Sequence, residues 1–178
     1  MRKIDNPALR SLTANVTLAV FDVDGIMTDG SLHFLPDGRE VKMFNTLDGL
    51  GVKLLHNAGI ETAIITGRRS PQVEIRAEAL GITYLRQGRD DKLEALKEIW
   101  ANSAHSASTT AYIGDDLPDL SAIRAVTFGA TVPNAHPFVL AHADWCTEVT
   151  GGYGAAREFC EAILDAQEKL DSAYERFL

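Results

Sequence analysis

Short, uninterrupted apolar runs alternate with amphipathic stretches along this chain, and that alternation limits its folds more than any other feature. The apolar runs are residues 16–21, 62–65, 82–85, 111–113 and 126–129. Each is too short for a helix and too continuous for a strand with one face in water. Such runs suit strands of a parallel sheet, buried on both faces. Between them lie helical patterns. Leu50, Leu54 and Leu55 recur at helical spacing before a stop at Gly59. Ser70-Pro71 opens a second helix that ends at Gly81. Residues 91–100, 117–124, 136–143 and 155–170 read as further helices. Strand and helix in alternation predict βαβ units: a Rossmann-like, open, mostly parallel α/β sheet with helices on both faces. One departure is expected, a protruding β-hairpin at about residues 31–44, turning at Pro36-Asp37-Gly38. The chain, 178 residues without repeat or linker, reads as a single domain (1–178), with a tail at 167–178.

Three of the apolar runs end abruptly in polar residues. The first gives way to Asp22-Val23-Asp24-Gly25, the second to Thr66-Gly67-Arg68, and residues 111–113 to Gly114-Asp115-Asp116. In an open parallel sheet these ends share one edge, where such folds bind ligands. Asp22 and Asp24 then point to one side, and Gly25 permits a sharp turn. Asp115 and Asp116 bring two more carboxylates, whose mutual repulsion calls for a cation. Oxygen-only ligands favour a hard ion such as Mg2+, and no Cys/His cluster suggests zinc. Lys92 and Thr66 would add an ammonium and a hydroxyl, a set suited to a phosphoryl group. Read alone, each feature has an ordinary explanation as a turn, a helix cap or a solvated lysine. Their joint occurrence at element ends carries the signal.

That order resembles the haloacid dehalogenase superfamily of aspartyl-phosphate phosphatases. The resemblance makes Asp22 the nucleophile and Asp24 the general acid/base. It makes Thr66, Gly67, Arg68 and Lys92 the phosphate or substrate contacts, and Asp22, Asp24 (through its carbonyl), Asp115 and Asp116 the Mg2+ ligands. Only about 44 residues separate Asp22 from Thr66, and about 26 separate Thr66 from Lys92, which leaves no room for a cap domain. Within the capless subclass, the runs Gly25–Gly30 (with Thr28 a further substrate contact), Phe44–Gly51 and Thr150–Glu158 are similar to phosphatases of 3-deoxy-D-manno-octulosonate 8-phosphate. That similarity implies hydrolysis of this sugar acid phosphate in lipopolysaccharide core biosynthesis, by a homotetramer whose hairpins assemble across subunits. Some members have arginine where Leu47 stands, so Arg68 or Arg157 is expected to meet the substrate carboxylate.

Other readings compete. A sialic-type 9-phosphate would suit the same scaffold. A phosphorylatable receiver module uses similar groups, but lacks an acid two residues from the nucleophile and orders its lysine differently. A mutase would need the missing cap. A formal charge of −8 argues against nucleic acid and anionic membrane as partners. Residues 1–15 lack a signal-peptide core, and no window approaches the ~18 apolar residues of a membrane span, so the cytoplasm is the expected compartment. Cys146 and Cys160 are expected to be small buried hydrophobes.

Overall fold

Strand alternation divides the apolar runs between two layers. In the computed structural model, which describes residues 3–178, β1 (Leu18–Phe21) sends Ala19 and Phe21 into one hydrophobic core and Leu18 and Val20 into the other. β4 (Glu61–Thr66) and β6 (Thr110–Ile113) divide likewise: Ile64, Ala111 and Ile113 go to the first core, and Ala63, Ile65 and Tyr112 to the second. The first core is closed by α2 (Thr46–Asn57), α3 (Pro71–Leu80) and α7 (Ala155–Ala166). The second is closed by α4 (Lys92–Ala101), α5 (Leu117–Ile123) and the short α6 (Pro137–Leu140). With β5 (Tyr84–Gln87), β7 (Phe128–Thr131) and β8 (Trp145–Cys146) the sheet has the order β5-β4-β1-β6-β7-β8, parallel throughout. Both faces are covered, as the continuous apolar runs require.

β1 lies centrally, with Phe21 in register with Ile64 of β4 and Ile113 of β6. The three polar run-ends therefore emerge side by side. The hairpin stands apart as a second sheet, β2 (His33–Phe34) against β3 (Glu40–Val41), turning at Gly38 with φ 83°. Its ladder is shorter than its apolar residues suggested.

Four differences from the sequence reading have local causes. α1 (Pro7–Thr13), unforeseen, is capped by Asn6, whose side chain accepts from the amides of Ala8 and Leu9. β8 is only two residues long, below what periodicity can reveal. β5 and β7 each lie two residues beyond their expected starts. The last helix stops at Ala166 instead of running to Leu170. Glu168 adopts φ 58°, and the Lys169 amide donates back to the Leu164 carbonyl at 2.9 Å, a Schellman-type end. The expected tail then forms α8 (Leu170–Glu175), with Leu170 buried. Among the described residues, no helix is long and apolar enough to cross a membrane. Cys160 is buried and Cys146 partly so.

Candidate active site

Asp22 continues β1, its amide donating to Ile113 O at 3.0 Å. By strand parity it lies on the side of Leu18 and Val20, the side of α4 and α5. Those helices supply its neighbours. Lys92, first residue of α4, places Nζ 2.9 Å from Asp22 Oδ1 and 2.6 Å from Asp119 Oδ1 of α5. Tyr112, on the same face of β6, donates its hydroxyl to Asp119 Oδ1 at 2.7 Å. Asp22, Lys92, Tyr112 and Asp119 are all buried. Asp115 follows β6 and stands over them. The Cβ of any side chain at residue 25 would fall 2.1 Å from Asp115 Oδ2, and Gly25 has φ +90°. Glycine there gives Asp115 its place and the loop its turn.

This well holds three carboxylates and one ammonium. Burial, then repulsion from Asp119, pushes the Asp22 carboxyl well above its ordinary range, with Lys92 opposing. Burial and Asp119 likewise raise Asp115 to about 7. Burial pulls Lys92 down, but Asp22 and Asp119 outweigh it and hold the ammonium firmly charged. Burial and Asp119 push the Tyr112 hydroxyl well up, so it stays a donor.

A divalent cation meets the charge deficit of two. Asp22, Asp115 and Asp119 each offer an oxygen, all within 4.8 Å of one another. Asp115 Oδ1 is buried without a hydrogen-bond partner, the sign of a lone pair awaiting an ion. Asp119 already accepts from Lys92, Tyr112 and the Asp116 amide. The donor set fits Mg2+: Asp22 and Asp115 could hold it through their side chains, while Asp119 pairs with Lys92.

The rim of the cleft is different. Asp24 turns its carboxylate away from the well, into an ion pair with Lys42 beside β3, and Arg68 Nε lies 4.0 Å from Asp24 Oδ2. Thr66 ends β4 buried. Asp22, Asp24, Thr66, Gly67, Arg68, Lys92, Asp115 and Asp116 line one cleft of about 320 Å³, which Asp90, Pro118 and Asp119 also line. A segment distant in sequence supports the floor. Gly152 donates its amide to Ile26 O at 2.9 Å, and a Cβ at Gly151 would sit 1.7 Å from Gly25 O.

Four expectations need correction. Thr28 does not line the cleft; it is buried, its hydroxyl directed to Val23 O and accepting from the Gly30 amide. Asp116 is not in the carboxylate cluster; it caps α5, accepting from the Leu117 amide at 2.8 Å. Nor does the Asp24 carboxylate join that cluster, which leaves only the carbonyl role. Arg157 lines a separate depression with Leu47 and is paired to Glu161, so Arg68 is the arginine of this cleft. The sequence reading missed Asp119, Tyr112 and Lys42. Only Asp119 carried a signal: it is the N3 acid of a capping box begun by Asp116.

A family model of haloacid dehalogenase-like hydrolases matches residues 81–158. The chain belongs to that class, as its relatives of over 40% identity across most of its length show. Within it, the chain falls among the 3-deoxy-D-manno-octulosonate 8-phosphate phosphatases. It is 46% identical to KdsC of Yersinia pestis, covering 90% of this chain and 86% of that protein. It is 42% identical to KdsC of Escherichia coli K12, covering 89% and 85%. The crystal structure of the Moraxella catarrhalis enzyme, in complex with a magnesium ion, a phosphate ion and a KDO molecule, superposes with a TM-score of 0.94 at 45% identity, covering 96% of this chain and 98% of that one.

Proposed function

We propose that this protein hydrolyses 3-deoxy-D-manno-octulosonate 8-phosphate to the free sugar acid and inorganic phosphate, a step of lipopolysaccharide core biosynthesis. The observation that carries the reading is its near-complete match to the Moraxella enzyme bound to magnesium, phosphate and KDO.

Asp22 is the nucleophile: one carboxylate oxygen bonds to phosphorus in line as the bond from phosphorus to the sugar oxygen breaks. Asp24 gives that leaving oxygen its proton. Asp24 then takes a proton from water, whose oxygen attacks the aspartyl phosphate and frees Asp22 and phosphate. Lys92, held by Asp119, which the Tyr112 hydroxyl fixes in turn, and Thr66 hold the phosphoryl oxygens. Arg68 meets the anionic sugar acid at the rim. Mg2+, held by Asp22, Asp115 and the Asp24 carbonyl, supplies positive charge that neutralises phosphoryl oxygens.

The whole chain is one catalytic domain without a cap, and a homotetramer fits its surface. The hairpin region exposes Leu32, Phe34, Leu35, Val41 and Met43, more apolar area than a two-residue ladder can justify alone. A substrate carrying both a phosphate and a carboxylate does not diffuse across membranes, which supports a cytoplasmic enzyme. The acidic net charge supports a small-molecule substrate and no nucleic-acid or membrane partner. A substrate panel with and without Mg2+ tests the reading. Wild type releases phosphate from the eight-carbon substrate in strong preference to nine-carbon sialic-type and generic esters, and Asp22→Asn loses about 10⁴-fold or more. Equal rates across the panel would overturn the specificity, and an active Asp22→Asn the mechanism.

A further inference from the structure

Lys42 is anomalous in the hairpin. Its neighbours Val41 and Met43 are exposed, yet its own side chain is 3% accessible. A buried ammonium is costly unless well paired. Its partners are Asp24 Oδ1 and, at 3.3 Å, Glu40 Oε1. Arg68 closes the circuit from the cleft side: its Nη2 lies 3.2 Å from Glu40 Oε1, and its Nε faces Asp24 Oδ2. Two cations and two carboxylates thus alternate in a ring with no net charge. Asp24 and Arg68 line the cleft; Lys42 does not.

The ring is anchored to the sheet. Gln72 donates to Glu40 O at 2.9 Å and accepts from Ser70 Oγ at 2.7 Å, while the Ser70 amide donates to Gln87 of β5 at 2.8 Å. The root of the hairpin is therefore fixed relative to the strand ends.

We infer that Lys42 is a positioning residue for the proton transfers of this reaction. It engages Oδ1 of Asp24 from outside the cleft lining, leaving Oδ2 on the side of Arg68, which lines the cleft. Glu40 shares the ammonium's charge, so Asp24 is fixed in place by an assembly that is neutral as a whole. The inference rests on the acid/base role proposed above for Asp24.

Leaving-group dependence tests it. A sugar alkoxide needs a proton to leave; p-nitrophenolate does not. Single turnovers with enzyme in excess and Mg2+ present read the phosphorylation step alone. Asp24→Asn is expected to lose at least about tenfold more rate on the sugar-acid phosphate than on p-nitrophenyl phosphate. Lys42→Met, which keeps the apolar stem, is expected to show the same sign of discrimination, with KM for the sugar-acid phosphate little changed. Turnover of the aryl ester doubles as the check that the variant has folded. If Asp24→Asn does not discriminate, the acid role fails and this inference falls with it. If Asp24→Asn discriminates while Lys42→Met matches wild type, or loses both substrates equally, the role of Lys42 is overturned and that of Asp24 stands.

Discussion

One residue separates Asp22 from Asp24, yet they occupy opposite electrostatic regimes. Asp22 sits in a buried well of three carboxylates and one ammonium. Asp24 sits at the rim in a ring of two cations and two carboxylates. The well is underfilled with positive charge and gains from a cation. The rim is balanced and gains nothing from one. The nucleophile and acid/base roles proposed for Asp22 and Asp24 fall one in each setting. A single Asp-x-Asp run reaches both because β1 ends at Phe21 and the chain turns away after Asp22.

Breaking each region in turn sharpens this contrast. The largest effect is expected from Lys92→Met, which leaves Asp22 and Asp119 facing each other without their cation. In EDTA, urea unfolding should show a loss of about 3–5 kcal/mol, partly recovered by Mg2+. Lys42→Met at the rim should cost much less, because Arg68 remains. Equal losses would dissolve the distinction.

A smaller effect is expected from Asp115→Asn. The folded carboxyl has its pKa raised to about 7. A raised carboxyl penalises the folded state once ionised, so the contribution of Asp115 to metal-free stability should be most favourable below about pH 4 and fall as pH rises towards 7. Asparagine should remove that slope, a gain of up to about 4 kcal/mol near neutrality, and should remove the stabilisation by Mg2+ with it. A variant whose stability keeps the wild-type slope would show that Asp115 is not the strained group.

The smallest effects pit two hydrogen bonds against each other. Tyr112→Phe deletes a buried donor to the Asp119 carboxylate and should cost about 1.5–3 kcal/mol. Gln72→Ala deletes a partly buried contact to the hairpin and should cost about 1 kcal/mol or less. Amide exchange should quicken in the hairpin for Gln72→Ala and not for Tyr112→Phe.

The sheet was legible in the sequence because burial on both faces leaves continuous apolar runs, and the cleft because those runs break into Asp, Thr-Gly and Gly-Asp-Asp. The support around the cleft was not. Tyr112 lies inside an apolar run and reads as core, and its hydroxyl matters only because β6 directs it at α5. Lys42 sits beside a two-residue strand, where no periodicity marks which side is covered. Asp116 and Asp119 were confused because adjacency in sequence favoured the former. A helix starting between them gave one the cap and turned the other inward. β8 and α1 are short elements set by a register and a cap, not by pattern.

The contact of Gly151 and Gly152 with the loop after β1 has a consequence for synthesis. Translation delivers Asp22, Asp24, Thr66, Lys92 and Asp115 well before the glycines that brace the Gly25–Ile26 backbone. A nascent chain stopped short of Gly151 carries every reactive group and no floor beneath them. Competence therefore arrives late and at once, when the C-terminal segment leaves the ribosome and docks. A fragment lost from that end by proteolysis or a premature stop would remove activity without touching a single residue that meets the substrate.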